Sequence, residues 1–283
     1  MKKSFVSAFA ALLLAPAFSL VSFAQDAAFP PLPSTPTVAH RGFSAAAPEN
    51  TLSAVMAAIE VGAQGCEFDI YQSKDGVVYL NHDGNLKRTT GLAKSCGEAT
   101  FDELRKLDFG AWKGEQFKGE KLTTYDEALA VLKYTGTRPV VEVKANGFED
   151  KVVEGLRRFD LIETAVVIDF SADRVKKYRE LEPKLCSAWL TGLNKNETRK
   201  QCAERIIKTL KEIGTNVVDV HYNAVDAEFL QILKDANIRV MCWTVNNPAD
   251  IQRMVDLGVE SITTDRPDLV LEAQKKAAEK VAK

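Results

Sequence analysis

Histidine is nearly absent from this chain, with three in 283 residues, so any proton-transfer chemistry near neutral pH rests on a very short list of imidazoles. Cysteine is sparse as well. None of the five, Cys66, Cys96, Cys186, Cys202 and Cys242, forms a CxxC or zinc-like spacing, which removes the usual redox and structural-zinc readings. An excess of positive charge is also missing. The formal net charge is −2 with no basic stripe, which argues against nucleic acid as a partner. Beyond residue 24 no apolar run approaches membrane-spanning length, and neither an internal repeat nor a low-complexity segment is present. No stable membrane insertion is therefore expected.

The first 24 residues differ from the rest. Lys2 and Lys3 precede an apolar run from Phe5 to Phe23 that ends in Ser22-Phe23-Ala24, the pattern of a secretory signal peptide cut after Ala24. No cysteine stands at the cut to carry a lipid, and Pro16 interrupts the run, which weighs against a retained anchor. A periplasmic or secreted product is expected. Without those residues and their two lysines the net charge moves from −2 to −4, so attraction for an anionic substrate must be local. An oxidising compartment permits disulfides, and Cys186 with Cys202 is the pairing to expect first. By strand alternation Cys66 and Cys242 point outward as small apolar residues.

Short β-rich runs alternate with helix-period segments. Strands are expected at 37–41, 66–72, 77–82, 139–144, 165–170, 185–190, 217–222, 239–245 and 261–264. Helix starts are marked by Thr124 with Glu127, by Thr100 with Glu103, and by Asn247 before Pro248. Repeated βα units in this length point to an α/β fold, a (β/α)8 TIM barrel with a small insertion after the second strand region; an open doubly wound sheet is the alternative. Residues 25–36 read as an extended lead-in, 37–270 as the barrel with an insertion at about 84–122, and 271–283 as a terminal helix or tail. The insertion's aromatics, Phe101, Phe109, Trp112 and Phe117, suit a satellite core or a cap over the barrel mouth.

Strand geometry then groups the polar residues. Glu67 and Asp69 are two apart and share a strand face, as do Glu142 and Lys144. Carboxylates aimed at a barrel interior need neutralising, and a hard divalent cation would do so; Glu142 with Lys144 also reads as a plain ion pair at the barrel mouth. His40 and Arg41 end the first strand, where Gly42 lets the chain turn, and so lie at the C-terminal mouth. His82 ends the third strand run. Each imidazole alone suits a structural hydrogen bond, but two of them beside carboxylates and a cation suit the acid and base of phosphodiester cleavage. His221 is expected to be structural. Glu49 and Asn50 are expected to hold the first loop, and Asp83, pointing away from His82 by alternation, to brace the insertion.

These segments, in order, resemble the glycerophosphodiester phosphodiesterase family: His40-Arg41-Gly42, Pro48-Glu49-Asn50-Thr51, Glu67-Phe68-Asp69, His82-Asp83, Arg88-Thr89-Thr90, Glu142-Val143-Lys144, Trp243-Thr244-Val245-Asn246 and Thr264-Asp265-Arg266-Pro267. The resemblance spans 37–270. It implies a (β/α)8 barrel that hydrolyses glycerophosphodiesters to sn-glycerol 3-phosphate and an alcohol. It also implies that His40 is the proton acceptor and His82 the proton donor, though sequence does not fix which acts first, that Glu67, Asp69 and Glu142 hold one divalent cation, and that Arg41 and Lys144 contact phosphate. The cation is calcium or magnesium, with an extracellular setting favouring calcium. Trp243, facing inward with Met241, is either a wall of the glycerol pocket or a plain core residue. The partner is then a small-molecule diester, and nothing speaks to oligomeric state. Two other readings remain: a lysophospholipase D-type activity, and a catalytically silent phosphodiester-binding barrel.

Overall fold

The computed structural model describes residues 29–33 and 36–281, so the expected signal peptide and much of the lead-in lie outside the described residues. The strands are β1 (Thr37–Ala39), β2 (Gly65–Gln72), β3 (Val78–Leu80), β4 (Arg138–Val143), β5 (Val166–Asp169), β6 (Cys186–Thr191), β7 (Val217–His221), β8 (Arg239–Trp243) and β9 (Ser261–Thr264). Every expected strand run overlaps one of them, with its bounds within a few residues. The helices are α1 (Leu52–Glu60), α2 (Lys87–Thr90), α3 (Phe101–Leu104), α4 (Tyr125–Leu132), α5 (Glu149–Arg158), α6 (Ala172–Leu181), α7 (Arg199–Ile213), α8 (Ala227–Asp235), α9 (Pro248–Asp256) and α10 (Pro267–Val281).

Closure is decided by β1, which pairs in parallel with β2 on one side and with β9 on the other. That double pairing removes the sheet edge and excludes the open doubly wound alternative. Eight strands, β1, β2 and β4–β9, run parallel around the barrel, whereas β3 is an antiparallel addition to β2. Helices separate the barrel strands, as a (β/α)8 barrel requires. The run ending in His82 is thus an outrigger rather than a barrel stave. Among the described residues no helix is long and apolar enough to cross a membrane.

Alternation along each stave splits the core into two shells. Inward-facing Val38, Val140, Val166, Ile168, Ala188, Leu190 and Met241 fill the barrel, with Leu32 of the lead-in packed among them. Outward-facing Cys66, Phe68 and Ile70 pack under helices in one outer cluster, and Val218, Val220 and Cys242 in another. The helix starts follow their chemistry. Thr124 with Glu127 and Thr100 with Glu103 both close reciprocal capping boxes, and Asn247 caps the helix that Pro248 opens.

Two expectations change. The terminal helix begins at Pro267, not 271, and it docks as part of the outer ring: Val270 and Ala273 are buried, and Gln274 bonds Thr37 Oγ1 and the Pro36 carbonyl. The Cys186–Cys202 pairing is absent, and all five thiols are free and buried. Cys186 faces the barrel interior while Cys202 sits in the outer shell, so the stave wall separates them. In the insertion, Phe101 and Phe109 join a satellite core around Tyr79, Leu86 and Leu104, whereas Trp112 stays 38% exposed.

Candidate active site

The β1–α1 loop is the first component. His40 leaves β1, and Arg41 (φ 55°) and Gly42 (φ 76°) follow in consecutive left-handed conformations. Glycine is required at 42, because a Cβ there would lie 2.5 Å from the Ala54 carbonyl carbon of α1. The strained turn is held by Glu67, whose Oε2 accepts from the Arg41 backbone N–H at 2.7 Å. Asn50 then braces Asp69, donating from Nδ2 to Oδ2 at 2.8 Å and accepting from the Asp69 N–H at 3.0 Å. Glu49 bridges Arg41 at 2.9 Å and Arg88 of the insertion at 2.7 Å.

Across the barrel mouth, β2 and β4 bring Glu67, Asp69 and Glu142 together, each able to present an oxygen within 4.8 Å of the others. All three are buried. Lys144 Nζ lies 2.7 Å from Glu142 and 3.4 Å from Asp69, and Arg41 Nε lies 3.5 Å from Asp69. Even so, Glu67 Oε1 and Asp69 Oδ1 have no hydrogen-bond partner. Burial, with Asp69 and Glu142 nearby, pushes the Glu67 carboxyl well above its ordinary range. Burial, aided by Asp69 and opposed by Lys144, lifts Glu142 to about 7. At Asp69 burial pushes upward too, but the charges of Lys144 and Arg41 outweigh it and hold the group low. Oxygen-only donors, with Glu67 Oε1 unpartnered and Asp69 Oδ1 met only by the Lys144 charge at 3.4 Å, are the donor set of a hard divalent cation such as calcium or magnesium.

The two histidines are each held by a carboxylate. His40 Nδ1 lies 2.6 Å from Asp265 Oδ1, and Asp265 is further bonded by Ser44 and Asn246. Burial would raise the Asp265 carboxyl, but His40 and these donors hold it down at about 2. His82 Nδ1 lies 2.9 Å from Asp83 Oδ1, while Arg88 holds the other Asp83 oxygen at 2.7 Å. The expectation that Asp83 points away from His82 is therefore corrected. His82 has left β3, so strand alternation no longer governs its neighbour. Asp83 braces the insertion and His82 together. Burial draws the His82 pKa down, with Asp69 and Asp83 opposing. Since a carboxylate accepts from Nδ1 in both residues, each ring presents Nε2 as its free nitrogen.

The β5–β8 side of the mouth is different in kind. Trp243 packs against the barrel's inner cluster and donates from Nε1 to the Asp219 carbonyl at 3.2 Å. Phe170, 52% exposed, meets its ring edge-on at 5.6 Å, and His221 does so at 5.2 Å. His221 stacks on Tyr222 and accepts from the Asn223 N–H, a structural arrangement. Asp265, named from sequence only as part of Thr264-Asp265-Arg266-Pro267 and given no role, stands just past the end of β9. The signal for it was barrel closure itself, which sets the end of the last strand beside the end of the first. Asp219 was missed as well. It is fully buried, neither of its carboxyl oxygens has a partner, and burial raises its pKa strongly.

Known proteins resemble this chain along most of its length. Residues 40–269 match the Glycerophosphoryl diester phosphodiesterase family. A glycerophosphodiester phosphodiesterase of Bacillus subtilis is 30% identical over 84% of this chain and 86% of its own length. One from Caldanaerobacter subterraneus is 27% identical over 86% and 98%. Among solved structures, an Oleispira antarctica phosphodiesterase in complex with the product sn-glycerol-3-phosphate is 27% identical. It covers 84% of this chain and 96% of its own, with a TM-score of 0.73.

Proposed function

This chain belongs to the glycerophosphoryl diester phosphodiesterase family and hydrolyses glycerophosphodiesters, and we propose that it does so by two-histidine acid/base catalysis beside one divalent cation, releasing sn-glycerol 3-phosphate. The observation that carries this reading is the paired geometry of the histidines: each Nδ1 rests on a carboxylate, at 2.6 Å for His40 and 2.9 Å for His82. Two imidazoles are thereby oriented with Nε2 free, one to accept a proton from the attacking water, or from the glycerol hydroxyl in a route through a cyclic phosphate that water then opens, and the other to protonate the departing alkoxide. His40 is assigned the acceptor role and His82 the donor role.

Glu67, Asp69 and Glu142 would hold the cation, which supplies Lewis-acid stabilisation of charge on the phosphoryl oxygens when bound. Arg41 and Lys144 add fixed positive charge on either side of Asp69 and serve as contacts for the non-bridging oxygens. Trp243 forms a wall for the glycerol moiety. Calcium is favoured over magnesium, since the amino-terminal sequence supports export through a signal peptide cut after Ala24, to a periplasmic or extracellular, calcium-rich setting. Exposed Phe170 against Trp243 favours a second reading in which an acyl chain lies along this rim and lysophospholipids are cleaved in a lysophospholipase D-type reaction. The silent-binding reading is disfavoured by the intact histidine pair and by relatives that are named enzymes.

The test is release of glycerol 3-phosphate from glycerophosphocholine by chelator-stripped protein resupplied with calcium or magnesium. Metal-restored turnover that collapses in both His40→Ala and His82→Ala is the expected result. A folded, metal-loaded wild type without turnover, or full activity in either variant, would refute the mechanism. Turnover of lysophosphatidylcholine under the same conditions would establish the second activity.

A further inference from the structure

Arg88 of the insertion reaches two parts of the site at once. Its Nε donates to Asp83 Oδ2 at 2.7 Å and its Nη2 to Asp83 Oδ1 at 3.2 Å. Its Nη1 and Nη2 donate to Glu49 Oε2 and Oε1 at 2.9 and 2.7 Å. A guanidinium carries its donors in a rigid planar fork, so these bonds fix two carboxylates relative to each other, which a lysine ammonium, a rotatable point charge, does not do. Each carboxylate has a second partner inside the site. Asp83 holds His82 Nδ1 at 2.9 Å, and Glu49 accepts from Arg41 Nη1 at 2.9 Å. The bond from Arg88 is the largest influence on the Asp83 carboxyl, and with His82 it holds the group at about 2 against burial. At Glu49 burial pushes upward, but the bonds from Arg88 and the charge of Arg41 hold the carboxyl below its ordinary range.

The fork is carried on packed backbone. Arg88 lies on α2, where Thr89 is buried and the preceding Leu86 belongs to the satellite core, and its guanidinium carbon lies 5.6 Å from the centre of the Trp112 ring. The Arg88 side chain itself is exposed, and exposed ion pairs contribute little to stability, so what this fork orients matters more than what it stabilises. We infer that Arg88 is a positioning residue: through Asp83, with Glu49 as its fixed anchor, it aims His82 at the departing oxygen. This rests on the assignment of His82 as proton donor above. As the bond from phosphorus to that oxygen breaks, His82 gives it the Nε2 proton and keeps the Nδ1 proton against Asp83. A choline alkoxide needs that proton, whereas para-nitrophenolate is stable as an anion and leaves without it. Loss of Arg88 also frees one side of Glu49, but that acts through Arg41 on the phosphate both kinds of diester share, and so cancels in their ratio.

The experiment measures kcat for glycerophosphocholine and for the para-nitrophenyl ester of glycerol 3-phosphate. The proteins are wild type, Arg88→Met, Arg88→Lys, Asp83→Asn, the Arg88→Met and Asp83→Asn double variant, and His82→Ala. A general acid contributes about a hundredfold or more, and Arg88→Met should forfeit part of it, lowering kcat on glycerophosphocholine by about tenfold and on the nitrophenyl ester by less than about threefold. Arg88→Lys, which keeps the charge without the fork, should fall between Arg88→Met and wild type. In the ratio of the two diesters, Arg88→Met should add little to Asp83→Asn, since both act through one imidazole. Reading both diesters on one sample cancels any loss of folded protein. An equal fall on both diesters, no fall on either, or full additivity of that ratio in the double variant overturns the inference. If His82→Ala slows both diesters equally, the proton-donor assignment fails and this inference with it; selective loss of glycerophosphocholine turnover in His82→Ala but not in Arg88→Met sinks the inference alone.

Discussion

Replacing Glu142 with glutamine should make the metal-free protein more stable at pH 8 while abolishing its response to metal. Glu142 is nearly buried, and its carboxyl rises from 4.5 to about 7 through burial and the proximity of Asp69, against the pull of Lys144. Because the folded-state value is raised, the stability linked to this group is fully present below the unfolded value and is lost as pH climbs through the folded one. Between about pH 4 and pH 8 the metal-free protein should lose about 3 kcal/mol on this account. A glutamine side chain at this position has no such charge to form. It gives up the 2.7 Å contact with Lys144, a loss of about 1 kcal/mol, and Lys144 keeps Asp69 at 3.4 Å. The variant should therefore lead by about 2 kcal/mol at pH 8, or roughly 4–8 °C in Tm for a domain of this size, and trail slightly at pH 5. Relief of Glu67, which Glu142 also pushes upward, adds to that lead. Adding calcium at about one hundred times its Kd should raise wild type by roughly 3 kcal/mol and leave Glu142→Gln nearly unmoved, reversing the order. Thermal unfolding in chelator and in calcium at both pH values reads all of this. A variant less stable than wild type in chelator at pH 8, or one that gains as much from calcium, would refute the reasoning.

Asp265→Asn should lower kcat by about a hundredfold or more, because the amide no longer selects the His40 tautomer or stabilises its protonated ring, while the metal-induced rise in Tm persists; steady-state kinetics beside unfolding curves separate the two effects. Asp83→Asn should shift the pH profile of kcat through His82 and also loosen Arg88, so its Tm should fall as well; equal profiles for wild type and variant would contradict the contact. The protein should carry five free thiols when denatured under non-reducing conditions, and reductant should leave Tm unchanged; a single disulfide in the mass spectrum would contradict the separation of Cys186 from Cys202.

What could be read from sequence was whatever a local period encodes. The shared faces of Glu67 with Asp69 and of Glu142 with Lys144 follow from the two-residue repeat of a strand, and the structure sets all four around one point. Cys66 and Cys242 fall on outer faces by the same rule. The rule fails where the strand has ended. Asp83 lies beyond β3, in backbone shaped by Arg88 and the insertion, and its side chain turns to His82. Cys186 and Cys202 show another limit: inside and outside are properties of the closed barrel, and no spacing along the chain states that a wall stands between two positions. Asp265 belongs to the same class, since 225 residues of chain separate it from the histidine it holds.

Charge around the mouth follows strand adjacency rather than sequence order. The staves β9, β1, β2 and β4 are contiguous in the closed barrel, and they or the loops leaving them carry Asp265, His40, Arg41, Glu67, Asp69, Glu142 and Lys144. The other four staves line the interior with Ile168, Ala188, Leu190, Met241 and Trp243. Concentrating the inward-facing carboxylates of the site on one side places them within reach of Arg41 or Lys144 and around the proposed cation, which offsets their desolvation. Asp219 tests that logic from the apolar side. Set on β7 among those residues, with neither oxygen partnered, it lacks the cations that hold the Asp69 carboxyl low, and burial, with Glu142 adding to it, pushes its carboxyl well above the ordinary range. Of two aspartates that both face the barrel interior, the one beside two cations has its carboxyl held low and the one beside none has it raised by burial.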